Sequence, residues 1–320
     1  MRRTVSGALR AGRIAAERHM EQSEGAGFTW KEETVTDLVL AEVASSIKVV
    51  PFTRFQETRL GADWLWWWID GDSEAFGMLV QAKRLRIDSK RWKFEFGYNK
   101  GVQKRTLLRA ARHLGVPATY GLYLGTSIYR RPASCGASHA KQTCIQCRRT
   151  TVSVMPALLG DSSFVVDGPS TYSRSVALED LAKRRLSRGT ALSHVIPALR
   201  PTLDPRLRAF LSQPQRGARR IAQELLEALL LVREGQFEAA LATQVPYETL
   251  TPVFDTLPAD RGHFGEPYFP HILNGLRRVA PGYVLDAEYA DASIGAPSEL
   301  TDAPEANVAG VVVVRLERDR

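Results

Sequence analysis

Apolar positions along this chain follow two rhythms, one near 3.6 residues and one of two, and their order sketches an α/β protein. Val35, Leu38, Val39 and Val43 recur at helical spacing. Ahead of them, Thr29-Trp30-Lys31-Glu32 has the form of a capping box, in which the Thr hydroxyl takes one orphan amide and the Glu carboxylate reaches back to another. The pattern predicts a helix from there to about Ser45. Residues 47–57 read as extended, bent or held at an edge by Pro51. After a turn at Thr58-Arg59-Leu60-Gly61, the stretch from Asp63 to Ile69 is strongly β-prone and is stopped by Asp70-Gly71-Asp72. Gly77 to Leu85 is a second strand, and the short link predicts an antiparallel hairpin. Residues 86–98 read as a basic, aromatic loop. A further helix is expected from Asn99 or Lys100 to Leu114, where Gly115 and Pro117 end it, followed by a strand from Ala118 to Gly125.

Helix, extended segment, two strands, helix, strand: this order amounts to one α/β layer around a small mixed sheet. Residues 1–28, rich in Arg, Ala, Gly and Ser without firm periodicity, read as a mobile or weakly helical N-terminal arm. Residues 29–126 form the core, 127–150 a polar insertion bearing cysteines, 151–200 a helical extension, and 201–320 a mainly helical, acidic C-terminal region. Within the later segments Ser175 to Leu186 and Arg216 to Val232 are helical in pattern, and Pro197, Pro201 and Pro205 mark a linker. Gly310 to Leu316 reads as a late strand.

Composition narrows the class. With 44% hydrophobic and 24% charged residues among 320, neither wholesale disorder nor a fibrous chain fits. No apolar run approaches the roughly 18 residues of a membrane span, and no apolar segment follows the basic N-terminus as it would in a secretory signal. Three cysteines clustered within thirteen residues are too few for a disulfide framework. The expectation is a cytoplasmic protein with no membrane partner. Its net charge of +8 is unevenly spread. Residues 81–149 carry sixteen Lys and Arg against two acids, whereas residues 234–320 carry six Arg against fourteen acids. A basic middle serves either a polyanion-binding surface or a solvated face, and charge alone leaves both open.

Polar residues in the hairpin sharpen the choice. Leu79, Gln81 and Lys83 share one face of their strand while Met78, Val80 and Ala82 share the other. A glutamine and a lysine inside an apolar strand cost roughly 1–3 kcal/mol each when buried without partners. Asp63 opens the preceding strand, and in a hairpin the start of one strand lies opposite the end of the next. Metal-assisted phosphodiester hydrolysis would use all three. An aspartate and an amide oxygen bind a hard cation, and a lysine orients water and offsets developing charge. Glu33, on the helix expected to pack here, could add a carboxylate; Glu32 and Asp37 are alternatives. The other reading is a polar cluster that only stitches the first helix to the sheet.

Glu33, then Gly61-Ala62-Asp63, then Gln81-Ala82-Lys83 resembles the PD-(D/E)xK nuclease superfamily in its QxK variant, as in Mrr-type enzymes. The resemblance implies a restriction-endonuclease-like α-β-β-β-α-β core. It also implies Asp63 and Gln81 as ligands of Mg2+ or Mn2+, Lys83 as catalytic lysine and Glu33 as the helix-one acid. Gln103, in line with Leu107, Ala110 and Leu114 on one helix face, resembles the superfamily's fourth-motif glutamine. Ala62 departs from the usual proline, and Gln81 replaces an acid, which removes one negative charge from the metal site. The wider string GADWLWWW…GMLVQAKRL also resembles a bacterial family catalogued as a domain of unknown function, over about residues 29–125. The implied activity is a DNA endonuclease, with restriction or anti-phage defence as the setting. RNA stays open beside DNA, a homodimer stays open as the assembly, and a non-catalytic binding module on the same fold is the alternative.

Arg84, Arg86, Lys90, Arg91 and Lys93, interleaved with Trp92 and Phe94 and followed by Lys100 and Lys104, suit phosphate contact and base stacking. Cys135, His139, Cys144 and Cys147 could close a tetrahedral Zn2+ site or be reduced thiols in a loop. No Gly-rich phosphate loop and no HExxH pairing is present.

Overall fold

The computed structural model describes residues 3–51, 64–71, 73–88, 91–96, 98–126, 129, 145–160, 174–183, 203–230, 243–246, 251–260, 262, 265–289 and 308–316. The N-terminal segment is a helix, α1 (Val5–Gly25), capped by the Thr4 hydroxyl, which accepts from the Gly7 amide. Its buried stripe includes Ala8, Gly12, Ala16 and Met20 at four-residue spacing. Small residues there let α1 approach α2 (Glu32–Val43) closely: a Cβ at Gly12 would sit 3.1 Å from the Val39 carbonyl oxygen. The arm, expected to be mobile or weakly helical, is thus a packed 21-residue helix, whose contact face gives a weak periodic signal because Ala and Gly make up half of it.

α2 starts at Glu32 with Lys31 as N-cap and no side-chain capping bond, so the capping box expected at Thr29 does not form. Then come β1 (Lys48–Pro51), β2 (Trp64–Ile69) and β3 (Ala75–Arg84). The basic loop expected over 86–98 contains a small antiparallel pair, β4 (Arg86–Asp88) with β5 (Arg91–Lys93). α3 (Val102–Leu114) ends at Gly115, whose φ of +61° supplies the left-handed cap anticipated there. β6 (Ala118–Tyr123), α4 (Ile145–Arg149), β7 (Val152–Pro156), β8 (Val176–Ala177) and α5 (Leu178–Leu181) follow. The later segments give α6 (Pro205–Ser212), α7 (Gly217–Leu230), β9 (Thr243–Pro246), β10 (Thr256–Ala259), α8 (Tyr268–Leu273), β11 (Leu276–Arg277), α9 (Gly282–Tyr289) and β12 (Gly310–Arg315).

The fold is α/β with a mixed sheet, as the sequence led us to expect. Among the described residues the main sheet runs β1-β12-β2-β3-β6-β7-β8, with β11 pairing the start of β3. β2 and β3 form the antiparallel hairpin, Trp64 opposite Val80. β3 and β6 run parallel, Gln81 opposite Tyr120. β12 enters between β1 and β2, antiparallel to the first and parallel to the second.

Two layers of helices cover the sheet. A small cavity under α2 is lined by Thr36, Val39, Leu40, Met78, Val80 and Ala82, so α2 covers the even-numbered face of β3. α3 meets the opposite face through Lys83. The run Trp64–Ile69 is apolar on both faces because both are covered; Trp67 and Trp68 are fully buried. Trp67 Nε1 donates to the Tyr283 hydroxyl at 3.2 Å from α9, and Arg277 stacks on the Trp67 ring at 5.1 Å. α7 is tied to the β2–β3 turn by paired Arg219–Glu74 bonds of 2.6 and 2.7 Å. Among the described residues no helix is long and apolar enough to cross a membrane.

Candidate functional site

The last turn of pleat in β3 brings polar groups inward. Lys83 is only 5% exposed, and its Nζ donates to Gln103 Oε1 at 2.6 Å. Gln103 lies in the first turn of α3, half-buried, on the face that buries Leu107, Ala110 and Leu114. A strand period of two and a helix period of 3.6 therefore converge on one contact.

Gln81, two residues before Lys83 on the same face, is 2% exposed, and neither of its amide atoms has a hydrogen-bond partner among the described residues. Its partner across the sheet, Tyr120, is fully buried with a hydroxyl equally unpartnered. Burial pushes the Tyr120 phenol far above its ordinary range, so it stays protonated. Tyr120 stacks on Phe96 with ring centroids 4.8 Å apart, and Phe96 stacks on Phe94 at 5.2 Å. Lys104 is also buried and donates to the Gly160 carbonyl at 3.3 Å. This face thus gathers two lysines, two glutamines and a phenol beneath aromatic cover. Sequence reasoning missed Tyr120; ATYGLY reads as an ordinary buried strand, and only the parallel register with β3 places Tyr120 beside Gln81.

At the far end of β3, Glu32 Oε1 accepts the Arg84 backbone amide at 2.8 Å. Arg84 in turn bonds the Trp30 carbonyl and stacks on the Trp30 ring at 5.5 Å. Glu33 and Asp37 are exposed. The acid of α2 that reaches the sheet is therefore Glu32, which the sequence offered as an alternative to Glu33. That carboxylate is committed to a backbone amide, which fixes where β3 ends.

Asp63 lies outside the described residues, as do Lys90, Cys135, His139 and Cys144. Cys147 is buried, with its carbonyl accepting the Thr150 and Thr151 hydroxyls at 3.2 and 3.3 Å. Among the described residues, no group of three or more His, Cys, Asp or Glu is placed to hold a metal ion. Of the basic residues singled out from the sequence, Lys93 and Lys100 are exposed, and Arg86 is exposed and pairs with Glu95 at 2.7 Å. Arg91 belongs to β5. Arg84 is engaged by Trp30, and Lys104 belongs to the interior instead of an exposed basic stripe.

Gln81 Oε1 is a buried oxygen with no donor among the described residues, the type of atom that can ligate a hard cation such as Mg2+ or Mn2+. The buried cations beside it suit an anionic substrate.

These features define an α/β protein with helices on both faces of a mixed sheet and a buried amide–lysine cluster on one of them. Residues 8–201 match the model of a family of unknown function, DUF6615, and the chain belongs to that family. No match is found among curated proteins or among solved structures.

Proposed function

We propose that this chain is a metal-dependent DNA endonuclease that hydrolyses phosphodiester bonds, a restriction or anti-phage role being the setting its resemblance to QxK nucleases supplies. One observation carries the reading: a largely buried strand keeps an amide, Gln81, with no hydrogen-bond partner among the described residues, beside a lysine that α3 fixes in place. An apolar residue would pack there at lower cost, so the amide is retained for something that binds it. Mg2+ or Mn2+ held by Asp63 and Gln81 would polarise the scissile phosphate and acidify a bound water. Lys83 then orients the attacking water and offsets charge growing on the phosphate. Gln103 positions Lys83 by accepting from its Nζ. Glu32 takes the helix-one place by setting the end of β3, and Arg86, Lys93 and Lys100 contact backbone phosphates.

Supercoiled plasmid with Mg2+ or Mn2+ tests this, wild type beside Asp63→Ala and Lys83→Ala. The expected result is metal-dependent nicking or linearisation that both substitutions abolish at unchanged folding. Full cleavage by Asp63→Ala would sink the reading. A non-catalytic nucleic-acid-binding module is favoured by one fact: the Glu32 carboxylate is already spent on the Arg84 amide. That module predicts metal-independent affinity that falls steeply with salt and yields no product.

A further inference from the structure

α1 presents Ser6, Arg10, Arg13 and Ile14 along one stripe, at i, i+4, i+7 and i+8. Facing it are Arg148 and Arg149 of α4 and Glu179 of α5, with Lys183 just beyond. Together they line an open cleft of about 440 Å3, within the size range of small-molecule sites. Five cations and a single carboxylate form its wall. No aromatic side chain is among them, so a ligand here is recognised through its charge and not through a ring.

The cations are held in a chain of ion pairs. Glu17 accepts from Arg13 at 2.8 Å and from Arg148 at 3.1 Å. Glu179 accepts from Arg13 at 3.3 Å and from Arg149 at 3.2 Å. Asp180 takes Arg149 and, at 2.7 Å, Lys183. Glu21 adds a further negative charge near Arg148. Arg13 is 5% exposed, so its guanidinium is fixed within the wall. Arg10 is exposed and has no ion-pair partner among the described residues. A network that only stitched α1, α4 and α5 together would need neither the concavity nor this surplus cation at its edge.

We propose that this cleft binds the phosphate or diphosphate group of a small phosphorylated ligand. Arg148 and Arg149 each spend the Nε–Nη2 edge on carboxylates, which presets the guanidinium and leaves its Nη1 side to donate to phosphate oxygens. Arg10 and Lys183 supply the charge that closes over the anion. The site is separate from Gln81 and Lys83, which face α3 on the opposite side of the sheet, so it does not rest on the nuclease reading.

Isothermal titration of the full chain with inorganic pyrophosphate and with inorganic phosphate tests it, beside the same titration with a duplex DNA lacking terminal phosphates. Saturable one-site binding of pyrophosphate is expected, weakened about tenfold or more in both Arg10→Gln and Lys183→Gln. Arg10→Gln breaks no ion pair seen here, so its unliganded melting temperature should match wild type. Three results would overturn the proposal: no saturable binding of either anion, affinity untouched by both substitutions, or binding confined to the duplex with pyrophosphate silent.

Discussion

Replacing Gln81 with methionine should make the protein more stable and, on the nuclease reading, remove its cleavage activity. The wild-type side chain is 2% exposed and leaves both amide atoms unpartnered among the described residues. An unsatisfied buried polar group costs about 1–3 kcal/mol, and methionine fills nearly the same volume with no polar atom to desolvate. Imperfect repacking beside Tyr120 and Leu79 returns part of that gain, since volume-conserving swaps cost up to about 1.5 kcal/mol. The net expectation for Gln81→Met is a stabilisation of about 1–2 kcal/mol. Urea unfolding followed by the fluorescence of the six tryptophans reads it as a higher midpoint at unchanged slope. The same variant, assayed on plasmid with Mg2+, should show no cleavage. A midpoint below wild type by 1 kcal/mol or more would refute the reasoning, because it would mean that the amide is bonded in the folded chain. Stability gained together with activity lost is the signature of a residue kept for binding.

Two further perturbations probe the frame around the site. His271 is fully buried, and burial holds its imidazole at about 4, below its ordinary value, while its Nε2 accepts the Ala118 amide at 3.3 Å. The unfolded chain therefore takes up this proton first as pH falls. Stability should be intact above about pH 6.5, fall as pH drops from there to about 4, and level off beneath, with a span on the order of 3 kcal/mol. His271→Gln keeps an acceptor for Ala118 and should flatten that slope in urea titrations at a series of pH values; identical slopes in the two proteins would remove His271 as the cause. Ending the chain at residue 307 deletes β12 and should abolish cooperative unfolding, seen by circular dichroism. A truncated chain with the wild-type midpoint would show that the strand is dispensable.

Legibility in the sequence followed the range of the interaction involved. Alternation in β3 put Gln81 and Lys83 on one face, and helical spacing put Gln103 in line with Leu107, Ala110 and Leu114, because both rest on local geometry; that this helix face meets Lys83 is a tertiary fact. Glu32 and Glu33 differ by one position, about 100° around a helix, so choosing between them needs the phase of α2. The absent capping box shows that phase to be set by packing: Glu32 is drawn to the Arg84 amide, fifty-two residues away. α1 reads from sequence only as a mobile or weakly helical arm for a different reason, since Ala8, Gly12 and Ala16 carry little hydrophobic signal yet permit a close helix approach. Tyr120 required a strand pairing that no local pattern encodes.

β12 shows how far that argument extends. Gly310 to Leu316 reads from sequence as a late strand, and its four valines in a row suit the cover on both faces that β12 finds in the fold. Nothing local says that it separates β1 from β2. Yet Val311 to Arg315 pair with Leu65 to Ile69, and Lys48 to Pro51 pair only with β12 among the described strands. The family match ends at residue 201, so the strand that seats β1 and covers the open edge of β2 lies outside it. Without β12, the run Trp64–Ile69 would present an apolar edge of unpaired amides and carbonyls, the kind of surface that aggregates. β2 is also the strand that Asp63 immediately precedes. On the nuclease reading, the C-terminal segment therefore holds in place the strand that follows the proposed metal-binding aspartate in sequence, and the site and the last strand of the chain must fold together.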